Sequence, residues 1–215
     1  MRKLIVAMLL VVLPLPAAAQ TPDEAPQCFD AVVVGAILRQ TPGPMPDLGP
    51  DVIVVRWPWE LEFQVEQVVY GPSDEQRLRV RESMHAGFNP RISHFLLFLG
   101  RDPVDGYVAE YIATDVMRDQ RGRFIIPFEG PIEDGEVWPS YWLPANYETY
   151  LRPISYRSED AWRLAEPYLD EDALARTPPG WHTRQSDRVV ALRGLYVDDL
   201  RAMLDAMPGA LCAVE

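Results

Sequence analysis

Cysteine, histidine and lysine are all scarce in this chain of 215 residues: there are two cysteines, three histidines and one lysine, Lys3. Two cysteines allow a single intramolecular pairing. The histidines, His85, His94 and His182, show no H-E-x-x-H and no spacing that predicts a shared site, so neither a metal nor a cofactor is expected. Met84-His85 is at most a copper-type pair. Lysine is missing from everything after position 3 while Ala, Arg, Pro and Gly are plentiful, which reflects the codon usage of a GC-rich bacterial genome rather than a function. After Leu15 no segment approaches 18 uninterrupted apolar residues, which excludes a further helical membrane span. There is no G-x-S-x-G, no P-loop, no internal repeat and no heptad run. No catalytic residue is assigned on this ground.

The chain begins with a leader. Arg2 and Lys3 precede an apolar run from Leu4 to Leu15, and "PLPAAAQ" supplies a small-residue cleavage site. Residues 1–19 are expected to be a secretory signal peptide cut after Ala19, and residues 20–27 a flexible polar lead-in. Without the leader, 18 arginines stand against 32 acidic residues, a net charge of −14. Such a surface repels phosphate backbones and anionic lipid, so nucleic acid and membrane surfaces are excluded as partners. The expected location is the periplasm or the medium. About 196 residues with 48% apolar content can bury one good core.

Residues 28–128 read as strands. "DAVVVGAIL" is β-branched and ends at the Pro/Gly loop "QTPGPMPDLGP", as a buried strand does. In "WPWELEFQVEQVVYGP", Trp59, Leu61, Phe63 and Val65 alternate with Glu60, Glu62, Gln64 and Glu66. That is a strand with one wet face, and the alternation breaks at "QVVY", where a bulge is expected. "RLRVR" places Leu78 and Val80 inside and Arg77, Arg79 and Arg81 outside. Paired as a hairpin, the glutamate row faces the arginine row, and setting the register is sufficient reason for those charges. "ISHFLLFLG" suits a central strand, "RDPVDG" is a turn rather than a calcium loop, and "YVAEYIATDV" reads as the fifth strand.

Five strands in this order, the second long and bulged, predict a mainly β, OB-like barrel. The cysteine before "FDAVVVGAIL", then "WELEFQVEQVVYGP", "LRVR" and "HFLLFLG", resemble the netrin-like domain, the OB-type module of tissue inhibitors of metalloproteinases, netrins and complement C-terminal domains. The likeness runs from about Cys28 to Met117. Those inhibitors cap zinc with the α-amine of an N-terminal cysteine in a C-x-C start. Here Phe29-Asp30 replaces the second half of that motif and eight residues precede Cys28 after cleavage, so the inhibitory role is not implied.

From residue 129 to 188 the composition changes. Between Glu129 and Asp172 there are 11 acidic residues, three arginines, eight Trp or Tyr and five Pro. This appendage is expected to wrap the barrel as loops and short helices, one of them capped by Ser158 before "EDAWRLAE". Trp138, Tyr141 and Trp142 are its candidates for binding a protein or glycan partner. A rival reading makes Glu129, Glu133, Asp134 and Glu136 the carboxylates of a periplasmic glycan hydrolase, which needs two acids facing each other across a cleft. In residues 189–215, Val197, Leu200, Met203, Leu204 and Met207 share one helical face, and Pro208-Gly209 ends it. Cys28 and Cys212, one before the first strand and one after the last helix, are expected to form a disulfide in an exported chain. The function expected is that of a non-enzymatic binding or interaction module.

Overall fold

The computed structural model describes residues 28–44, 56–72, 74–85, 87–89, 92–102, 106–110, 113–128, 147–155, 163–164, 178–185 and 188–212. The chain is mainly β. Its first five strands are β1 (Ala31–Pro42), β2 (Trp57–Tyr70), β3 (Arg77–Met84), β4 (His94–Arg101) and β5 (Tyr107–Ala109). β1 pairs antiparallel with β2 on one side and β4 on the other, and β2 pairs antiparallel with β3. β3 runs parallel to β5, which returns antiparallel to β4. The order β1-β2-β3-β5-β4-β1 therefore closes into the OB-like barrel expected from the strand pattern.

The two kinds of apolar pattern build two kinds of wall. Inside the barrel, Ala31 and Val33 of β1 meet Leu61, Phe63, Leu78, Val80, Phe95, Leu97, Leu99 and Tyr107. The intervening residues of β2 and β3 are charged, so that side of these strands stays wet. On β1 and β4 the intervening residues are Val32, Val34, Leu96 and Phe98, and they too are buried. A second core covers them, formed with Phe124, Ile126, Leu195, Leu200, Met203 and Leu204. Each such aliphatic or aromatic side chain contributes about 1.5–3 kcal/mol on burial.

The cover comes from the rest of the chain. β6 (Thr114–Arg118) pairs with the start of β4 and with β7 (Phe124–Pro127). The sheet continues through β12 (Arg193–Tyr196) to the short β8 (Arg152–Pro153), which follows a 3-10 turn at Tyr147–Tyr150. A separate sheet holds β9 (Arg163–Leu164), β10 (His182–Gln185) and β11 (Arg188–Ala191) in the order β10-β11-β9. Helix α1 (Val197–Asp205) buries Val197, Leu200, Met203 and Leu204, with Met207 partly buried beyond its end. This is the amphipathic face read from the sequence.

Two of the three bulges between β1 and β2 fall on β2, one of them within "QVVY" as expected, and the third leaves Leu38 extra on β1. Val32 faces Tyr70 and Val33 faces Val68, which leaves Val69 extra; Val34 faces Gln67 and Gly35 faces Val65, which leaves Glu66 extra. Gly35 is required there, because a Cβ would lie 1.9 Å from the Gln64 carbonyl oxygen.

Two expectations need correction. "YVAEYIATDV" is not one strand: its pairing with β4 slips by two residues between Ala109 and Thr114. The first half closes the barrel against β3, and the second leaves it to pair with β7. The helix expected over "EDAWRLAE" also fails at Arg163 and Leu164, which pair as strand with Val190 and Val189. Ser158, its expected cap, lies outside the described residues.

Candidate functional site

Because β3 alternates and β2 alternates from Trp59 to Gln64, ahead of its bulges, one row of each projects outward there. Glu60 faces Arg81 and Glu62 faces Arg79 across the pair, the facing rows read from the sequence. β1 adds Arg39 and Thr41 beside Glu62 and Glu60. Together with Asp102 they line a groove of about 670 Å³, floored by Leu61, Leu78 and Val80. Four arginines meet three carboxylates there, a local reversal of sign on a strongly acidic chain.

The ion pairs in the groove are of two kinds. Arg39 and Arg77 both reach Glu62 at 3.6 Å with side chains 74% and 66% exposed, so these contacts are weak and easily exchanged for a ligand. Arg81 instead pairs with Asp102, whose side chain is almost fully buried. Asp102 also starts the turn after β4, where its N–H donates to the Gly106 carbonyl. Arg81 is therefore fixed by structure, whereas Arg39 and Arg77 are available at little cost. Successive outward arginines on β3 stand about 7 Å apart, since a strand rises about 3.4 Å per residue.

The disulfide links Cys28 to Cys212, with Cα atoms 4.9 Å apart. Around it the chain ends zip together: Phe29 donates to the Ala210 carbonyl, Cys212 donates to the Phe29 carbonyl, and the Tyr70 hydroxyl donates to the Cys212 carbonyl. Trp138, Tyr141, Trp142, Glu129, Glu133, Asp134 and Glu136 lie outside the described residues, and so does the geometry that the hydrolase reading requires.

The histidines stand apart. His94 opens β4, its Nδ1 2.8 Å from Ser93 Oγ and its Nε2 2.9 Å from Glu66 Oε1. Glu66, the extra residue of a bulge, also accepts from Arg118, which lies over the Phe124 ring. His85 is exposed just after β3. His182 stands on β10 with Nε2 2.9 Å from the Phe128 carbonyl; burial, only partly opposed by that bond, pulls its pKa below the usual value and keeps it neutral. Among the described residues no group of three His, Cys, Asp or Glu is placed to hold a metal.

Two further carboxyl groups are buried and invisible as sites in the sequence. Asp119 is 1% exposed and accepts from the Arg121 and Arg123 N–H groups and from the Arg123 guanidinium. Burial raises its pKa, but these hydrogen bonds and the Arg123 charge outweigh it and hold the carboxyl below the ordinary range. Glu82 is 4% exposed on the inward side of β3, opposite Trp59. Burial lifts it to about 7 against the pull of the Ala113 N–H and the Arg56 charge. Glu82 continues the inward row of Leu78 and Val80 on an alternating strand, and that position is the one signal that could have marked it.

No family model, curated protein or solved structure matches the chain. No helix among the described residues is long and apolar enough to cross a membrane.

Proposed function

We propose that this protein is an exported, non-enzymatic OB-like binding module of netrin-like type that takes an acidic glycan in the groove across β1, β2 and β3. The leader at the N-terminus and the Cys28–Cys212 disulfide support export. The groove itself carries the ligand reading: it gathers Arg39, Arg77, Arg79 and Arg81 on the open wall of an otherwise acidic chain. Guanidinium groups match carboxylates and sulfates in a bidentate way. The interleaved Glu60 and Glu62 offer acceptors for sugar hydroxyls and penalise a ligand that is anionic at every position. Among the described residues no aromatic side chain lines the groove, so bases of a single-stranded nucleic acid would find no stacking platform on them.

Titration calorimetry with oligogalacturonate, a sulfated oligosaccharide and a neutral β-glucan oligomer tests the reading. Binding of an acidic oligomer, weakened by salt and reduced at least tenfold in R39Q/R77Q/R79Q, is the expected result. Arg81 is left in place because its loss would strand Asp102. Absence of binding by every acidic oligomer, or unchanged binding by the triple variant, overturns it.

A further inference from the structure

At one end of the barrel, Trp59, Glu82 and Phe95 face inward, and Phe88 packs against this end of the core with its ring 4.6 Å from that of Phe95. Gln40 holds the Phe88 backbone on both sides. Gln40 accepts from the Phe88 N–H at 2.7 Å and donates to the Phe88 carbonyl at 3.1 Å. The fit is tight, since a Cβ on Gly87 would lie 2.7 Å from Gln40 Oε1 and 3.2 Å from the Trp59 ring. At this end two buried polar atoms find no partner among the described residues, Glu82 Oε2 and Trp59 Nε1. The other Glu82 oxygen accepts one long hydrogen bond, 3.4 Å, from the Ala113 N–H.

We propose that the Phe88 segment is a pH-released latch on the barrel mouth, with Glu82 as the group whose charge opens it. A buried carboxyl with one oxygen unpartnered is stable when neutral and costly when ionised. Water can relieve that cost only by reaching the mouth, and the Phe88 segment stands in the way. Ionisation thus has a differential free energy between closed and open states, which is what a switch requires. Around Glu82, β1 brings the uncharged Gln40, β2 Trp59 and β4 Phe95. Arg56, before β2, holds the Ser83 carbonyl and favours the anion. Asp115 on β6 lies opposite Phe95 and is itself lifted to about 6 by burial. Glu82 is therefore mostly neutral below about pH 6 and mostly ionised above about pH 8, with burial opposing its charge and Arg56 favouring it.

The Phe88 amide reads the latch directly, because its hydrogen is the one Gln40 accepts. Protection factors from NMR hydrogen exchange between pH 5 and 8.5 remove the intrinsic base catalysis. In the wild type, Phe88 protection should fall at least tenfold across a midpoint near 7. In E82Q it should stay flat, and in Q40A it should be low throughout. Flat protection in the wild type, or a fall in E82Q parallel to the wild type, overturns the latch. Should E82Q fail to fold, the Glu82 carboxyl ¹³C shift in the wild type decides: a midpoint near 7 in step with Phe88 exchange supports it, and a midpoint near 4.5 ends it.

Discussion

The barrel has a covered wall and an open one. On the first half of β1, Ala31–Gly35, and on β4 both faces are apolar and buried, one by the barrel interior and the other by β7, β12 and α1. On β2 and β3 only the inner face is buried, and the outer one carries paired rows of opposite charge. The covered wall is where stability is concentrated, through packing, the disulfide and Asp119. The open wall has given up that second layer, and it holds the groove. A sheet face that is neither covered nor apolar is the part of the fold free to bind.

The sharpest way to break the comparison is to remove the staple behind the covered wall. Cys28 and Cys212 are 184 residues apart, and closing a loop of that length is worth on the order of 5 kcal/mol by chain entropy. C28S/C212S should therefore lose several kcal/mol in denaturant unfolding, and a loss below about 1 kcal/mol would show that the zipped chain ends hold without it. Next is Asp119, which ties the β6–β7 turn to Arg123 and, through the Tyr196 hydroxyl, to β12. D119A should cost about 3 kcal/mol, since several donors lose their acceptor at once. Its sign with pH is definite: the carboxyl is held below its ordinary 3.8, so its contribution is present above that value and is lost as pH falls through the lowered one. Acid unfolding of D119N should be correspondingly less steep.

Both walls were legible as patterns. "AVVV" and "HFLLFLG" are continuous because two cores need them, and "WELEF" and "RLRVR" alternate because one does. The facing of Glu60 and Glu62 against Arg81 and Arg79 followed from that alternation. What the pattern could not give was the third dimension. Arg39 and Asp102 join the groove only through the β1–β2 register and the turn after β4, neither of which is encoded locally. The split of the fifth strand was hidden for a similar reason: "YVAEYIATDV" keeps strand composition throughout while its partners change from β3 to β7. Glu82 escaped notice because it directly follows the "RLRVR" stretch and reads as one more surface charge, whereas its inward placement makes it unlike Glu60 and Glu62 on the open wall.

Glu82 gives the next prediction, and it separates the inner face of the open wall from its outer one. Its shift from 4.5 to about 7 corresponds to about 3 kcal/mol at most. For an acid raised on folding, the loss of stability runs from the unfolded value up to the folded one, that is, between pH 4.5 and about 7, and is constant above. Opening of the mouth returns part of that loss, so E82Q should gain about 2 kcal/mol over the wild type at pH 8 and nothing at pH 4. Thermal unfolding at the two pH values measures it, and equal differences at both would mean that the carboxyl is not titrating in the folded state.

The smallest expected change in stability is the most informative about function. Arg39 and Arg77 reach Glu62 only at 3.6 Å and are mostly exposed, so their ion pairs contribute little to the fold. R39Q/R77Q should shift unfolding free energy by no more than about 0.5 kcal/mol, and releasing Glu62 from two loose partners changes nothing buried. R81Q looks like the same substitution on the same row, yet it should cost about 2 kcal/mol, because Asp102 would be left as a buried anion without its pair. Equilibrium urea unfolding of the two variants side by side tests whether the groove contains two classes of arginine. If both cost the same, the division of the open wall into a structural pair and an exchangeable pair is wrong, and with it the reason for assigning ligand contact to Arg39 and Arg77 rather than to Arg81.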